Sequence, residues 1–169
     1  MRIDRKYFPV LVAVWFFVSI FGCTQKPSEK AISGEEFILK ESNLVGRHHA
    51  DRAFDKDISP DSFWESIKFP IWLQIEFKDN KSKKISKYSL QAGEEAKRMP
   101  KDWQFQGSND GTTWKDLDVQ KNRIGWKTDE RGTYAVASPA AYKFYRLYFT
   151  AGNQPEILRI YEIKFFEYF

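Results

Sequence analysis

The segment Ile71-Trp72-Leu73-Gln74-Ile75-Glu76-Phe77 alternates apolar and polar side chains without a break. Successive side chains of a strand point to opposite faces, so Ile71, Leu73, Ile75 and Phe77 share one face and Trp72, Gln74 and Glu76 the other. Similar patterns return in residues 85–92, where Tyr88, Leu90 and Ala92 are in phase, and in 103–108 and 144–150. Polar punctuation separates them: the basic stretch 78–84, a charged loop from Gly93 to Lys101, and Asn109-Asp110-Gly111, residue types that tolerate positive φ in tight turns. That turn predicts a partner strand over 112–117. A short strand over 133–137 and a last one over 157–166 complete the reading. No segment beyond residue 22 sustains a 3.6-residue apolar period. Many short strands joined by regular turns imply an all-β sandwich or barrel.

Aromatic residues make up 17% of the 169-residue chain, which favours a β-rich core or an aromatic binding surface over disorder. One Cys excludes an intrachain disulfide framework, and two His exclude an all-histidine metal centre. The formal net charge is +4. Half of it lies in Arg2, Arg5 and Lys6 against Asp4, so the body is nearly neutral and offers no nucleic acid a basic face.

The basic start is followed by an uncharged stretch, residues 8–22, shorter than the about 20 apolar residues of a membrane span. It ends Ile20-Phe21-Gly22-Cys23, which resembles a bacterial lipobox. Residues 1–22 are expected to be a lipoprotein signal peptide and Cys23 the lipidated mature N-terminus. Residues 24–36 follow as a solvated tether, and 37–169 as one domain. This predicts a lipid-anchored protein of the bacterial cell envelope. Thr24 after the Cys favours the outer membrane by analogy with Gram-negative sorting.

Ala53-Phe54-Asp55, Ser62-Phe63-Trp64, the run from Pro70 to Phe77, Met99 to Trp114 with its Gly107-Ser108-Asn109-Asp110-Gly111, Tyr145-Arg146-Leu147, and Leu158 to Phe165 occur in that order. Together they resemble the coagulation factor 5/8 type C (discoidin) domains, which include the family 32 carbohydrate-binding modules. The resemblance implies an eight-stranded jelly-roll β-sandwich of the galactose-binding-like type, with its termini close together.

It also implies a structural Ca²⁺ with Asp55, the backbone at Asp57, Ser62 and Glu162 as ligands. Here Lys56 stands where the family has Gly, and the loop before Trp64 is longer, so a metal-free hydrogen-bonded loop is the alternative. Sugar binding needs an aromatic face and fixed polar side chains. The candidates are His48, His49, Glu65, Arg98 and Trp126, all read as loop residues. Trp126 either stacks on a ligand or packs beneath its own loop, while Trp64, Trp72, Trp103 and Trp114 read as core or sheet. Adjacent His48 and His49 point apart on an extended segment, which argues against a shared metal. No nucleophile–base order or phosphate loop is present. The expected function is non-catalytic binding of a glycan or an envelope or host glycoprotein, with an envelope protein-interaction or adhesion domain as the alternative. Membrane contact is expected through the lipid only.

Overall fold

A computed structural model describes residues 28–43 and 46–168. The expected leader and Cys23 lie outside the described residues. The strands are β1 (Glu29–Ala31), β2 (Phe37–Glu41), β3 (Trp64–Ile67), β4 (Ile71–Phe77), β5 (Lys83–Gln91), β6 (Pro100–Ser108), β7 (Lys115–Gln120), β8 (Arg131–Ala135), β9 (Ala141–Tyr142), β10 (Phe144–Gly152), β11 (Ile157–Ile160) and β12 (Glu162–Tyr168). One sheet runs β1-β12-β5-β8, with β9 on the far end of β5; the other runs β2-β4-β10-β6-β7; β11 and β3 form a ribbon.

The two sheets face each other as a sandwich. On β4 the apolar set is buried and the polar set half-exposed, as the alternation requires. Each such buried aliphatic side chain contributes roughly 1.5–3 kcal/mol. Rings interlock across the sheets: Phe105 of β6 stacks on Phe165 of β12 at 5.8 Å and meets Tyr88 of β5 at 4.7 Å. Trp103 is fully buried and donates its indole N–H to the Tyr88 hydroxyl at 2.8 Å.

Three expectations are corrected. The tether is shorter, because β1 pairs antiparallel with β12 and Ile32 is buried, its N–H bonded to Phe165. That pairing also brings residues 29–31 beside residues 166–168. Strand β7 starts later than expected, because the Asp110 carboxylate accepts from the Thr112 and Thr113 N–H groups and keeps them in the turn. The last strand is split at Tyr161, so that β11 pairs with β3 and β12 with β5. The described residues hold twelve strands, because the split of the last one and the short β1, β2, β3 and β9 add to the seven read from the sequence. In β5 a bulge against Phe166 and Glu167 lets Ile85 and Tyr88 both face the core, although they are out of phase.

Candidate functional site

The split at Tyr161 builds the site. Ribbon β3–β11 crosses one end of the sandwich, and its register places Arg159 directly opposite Glu65. Glu65 is therefore a strand residue, buried, and not part of a loop. Its Oε2 accepts from Arg159 Nε at 2.7 Å and from Arg98 Nη1 at 3.0 Å. Arg98 reaches it from the short 3-10 turn Ala96–Arg98 that leads into β6. Beside this triad the Phe63 ring is enclosed by the His48 ring, stacked at 4.0 Å, and the Arg159 guanidinium at 3.7 Å. Tyr161 closes the back at 5.5 Å from Phe63. Its ring lies so close over Gly93 that a Cβ there would come within 2.4 Å of the ring, so Gly93 is required by contact.

Five buried side-chain polar atoms of the described residues lack a hydrogen-bond partner, and four of them lie at this end: His48 Nδ1, Gln154 Oε1, and Arg98 Nε and Glu95 Oε2, which face each other as an ion pair at 3.6 Å. Burial pushes His48 below its ordinary value, and Arg159, Arg47 and Arg52 add to the shift against Glu65, so the imidazole is neutral at pH 7. A buried ion triad adds little net stability compared with apolar packing. Open donors and acceptors beside it cost free energy until something meets them. The arrangement suits a small polyhydroxylated ligand.

His48, Glu65 and Arg98 are thus brought together, and Phe63 and Arg159 join them. Arg159 was readable only with the β3–β11 pairing in hand. His49 does not join: its Nδ1 turns to Glu41 at 3.3 Å on the other side of the segment. Trp126 does not present an open platform either. It is 8% exposed, its N–H is donated to the Pro100 carbonyl at 2.9 Å, and Arg123 covers its ring at 4.4 Å. Packing beneath its loop is the outcome; only part of it borders a concavity of about 230 Å³ with Lys97 and Asn153.

The loop over 54–62 lies at the same end. Asp55 accepts the Ser62 hydroxyl at 2.5 Å and the Asp57 N–H at 2.8 Å, and Glu162 accepts the Lys56 N–H at 3.1 Å. Lys56 takes φ +68, the left-handed backbone in which a Gly is unstrained, and contributes its N–H. Asp57 spends its own carboxylate on the Ser59 N–H at 2.8 Å. Glu162 is buried with no ion-pair partner among the described residues, and burial pushes its pKa up, with Asp55 adding to the shift. A buried carboxyl beside a second carboxylate and a hydroxyl is a donor set that suits Ca²⁺, which takes oxygens only. No cluster of three or more His, Cys, Asp or Glu occurs among the described residues, so the remaining ligands would be hydroxyl and carbonyl oxygens.

The family model of the F5/8 type C domain matches residues 38–163. The fold is similar to the family 32 carbohydrate-binding module of NanJ from Clostridium perfringens, solved in complex with galactose, at 18% identity and a TM-score of 0.66, covering 83% of this chain and 100% of that one. It is similar to CpGH89CBM32-5 from Clostridium perfringens, in complex with GalNAc-β-1,3-galactose, at 14% identity and a TM-score of 0.67, covering 80% and 99%. An F5/8 type C domain from Bacteroides fragilis superposes at 15% identity and a TM-score of 0.69, covering 83% and 97%. No curated protein matches the sequence. With the family model spanning most of its length and this sandwich beneath it, the chain belongs to the F5/8 type C domain family.

Proposed function

We propose that the protein is a non-catalytic carbohydrate-binding module, and that the His48–Glu65–Arg98–Arg159 end holds the sugar. The observation that carries this is the concentration there of buried polar atoms that make no hydrogen bond. A sugar ring supplies hydroxyls that both donate and accept, which would meet His48 Nδ1 and Gln154 Oε1 and bridge the 3.6 Å Arg98–Glu95 pair. The guanidinium of Arg98 spans vicinal hydroxyls in its plane, with Glu65 and Arg159 fixing its orientation. Similar folds have been solved with galactose and with GalNAc-β-1,3-galactose. Around this core we place the leader over residues 1–22, lipidation at Cys23 and a bacterial envelope location, on the sequence alone.

The proposal includes a structural Ca²⁺ held by Asp55, Ser62, Glu162 and the backbone at Asp57. When bound, the ion would neutralise two carboxylates and tie the loop to the last strand. Ser62 precedes Phe63, so that loop also sets the ring between His48 and Arg159.

The test is a glycan array with purified residues 24–169, with Ca²⁺ and with chelator, beside Arg98→Ala. A reproducible sugar class lost in Arg98→Ala supports the reading. No binding by a folded protein in either condition contradicts it and turns attention to protein docking in the envelope.

A further inference from the structure

The outward face of the second sheet carries a guanidinium that forms no direct ion pair among the described residues. Arg146 stands in β10, the central strand, opposite Gln74 of β4 and Gln106 of β6. Its Nε donates to Gln106 Oε1 at 2.5 Å, and Gln106 donates in turn to Asp116 at 2.6 Å. The guanidinium lies between two rings, 4.2 Å from the Trp114 centroid and 4.8 Å from that of Tyr148. Arg98, Arg123 and Arg159 each pair with a glutamate. Arg146 has no such partner among the described residues, and its two Nη groups have no protein acceptor there. Burial works against its charge, with Tyr148 and Asp116 offsetting part of the cost.

The plane is therefore held fixed by two rings and one amide, with a fork of N–H groups left over. A planar fork matches a carboxylate in two parallel hydrogen bonds. The surroundings say what kind of carboxylate. Tyr148 pairs across the ladder with Trp72, whose ring stacks on no other ring of the described residues and is half-exposed. Gln74 and Gln104 carry amides with no bond to the described protein. An acidic peptide would add to a sheet edge, but the edges are β2 and β7, each two strands from Arg146. Half-exposed indole, planar amides and one cation without a direct ion pair on a flat face fit a pyranose that bears an acid.

We propose that this face is a second carbohydrate subsite, distinct from the end of the sandwich, in which Arg146 takes the carboxylate of a uronic-acid unit and Trp72 covers its C–H face. The test is calorimetric titration of the protein with tri-galacturonic acid and with its methyl ester, all in an Arg98→Ala background so that the end site is disabled. Saturable binding of the acid, at least tenfold weaker binding of the ester, and a loss of at least tenfold in both Arg146→Lys and Trp72→Ala are expected. Lys keeps the charge but not the fork, and if that variant does not fold, Trp72→Ala decides. Absence of acid binding by the folded Arg98→Ala protein, equal binding of ester and acid, or binding unmoved by Trp72→Ala overturns the subsite. None of these outcomes bears on neutral-sugar binding by the wild type, which reports on the end site separately.

Discussion

The two ends of the sandwich use the same kinds of side chain to opposite effect. Strand β5 connects them, with Lys83 at one end and Gln91 at the other, roughly 26 Å apart at 3.3 Å per residue. At the Lys83 end the polar groups are answered. Lys83 sits between Glu36 at 2.6 Å and Glu167 at 3.0 Å. The Tyr145 hydroxyl lies within hydrogen-bond distance of the Lys83 and Ala140 carbonyls and receives the Ile85 N–H, and burial pushes its pKa up to about 12. At the other end Glu65 is shared by two arginines while His48, Glu95, Arg98 and Gln154 keep open valences. Closed polar networks hold chain segments in place, whereas unmet buried polar groups cost free energy; the open end is where we propose that the ligand binds.

Glu65→Ala should break this contrast most severely. It leaves Arg159 without an acid among the described residues and Arg98 with only its 3.6 Å contact to Glu95; both arginines are largely buried, and removing one partner of a buried ion set costs about 3–5 kcal/mol. Chemical denaturation checks it, and Glu65→Gln should recover part of the loss by keeping an acceptor. At the closed end Tyr145→Phe leaves Ile85 N–H without its acceptor and should cost about 1–3 kcal/mol with sugar binding unchanged.

Glu162→Gln sharpens the calcium question. Its carboxyl is raised by burial, so ionisation opposes folding: this contribution is fully present below the ordinary value of 4.5 and lost as pH rises through the folded value. Without metal at pH 7, Glu162→Gln should therefore melt no lower than wild type. With Ca²⁺ the wild type should gain melting temperature and the variant should not. A Ca²⁺-dependent gain that survives the substitution would remove Glu162 from the site.

The smallest effect is a pH dependence of opposite placement at the two ends. His48 is lowered, so its contribution is present above the ordinary value of 6.5 and lost as pH falls from there through the folded value. Glu36 is lowered by its bond to Lys83, so its contribution stays until pH falls below its ordinary 4.5. Between pH 6.5 and 5, His48→Phe should thus flatten the stability profile more than Glu36→Gln does, as read by thermal melts.

Much of the fold was legible because period-two alternation is local. Ile71–Phe77 reads directly as β4, and Asn109-Asp110-Gly111 as its kind of turn. What escaped depends on long-range partners. Thr112 and Thr113 look like strand until the Asp110 carboxylate is seen to hold them. The apolar run 157–166 hides a break at Tyr161, because the N–H of Tyr161 bonds to Gln91 while the strand changes partner. The site suffered most from that break: without the β3–β11 pairing, Arg159 reads as a structural strand residue and Glu65 as loop. His48 and Arg98 were singled out by residue type and loop position, and the structure brings them to one end; for Trp126 the sequence left stacking and packing open, and the polar loop folds back over the indole through Pro100 and Asn153.

The most direct test of the contrast between the ends is an amide and side-chain NMR titration with galactose and with GalNAc-β-1,3-galactose in Ca²⁺. The account predicts saturable shifts confined to His48, Phe63, Glu65, Arg98 and Arg159 and their neighbours, with Lys83, Asp110 and Tyr145 unmoved. Shifts centred on the Lys83 end, or no saturable shift at the Arg98 end with any glycan that the protein binds, would contradict it.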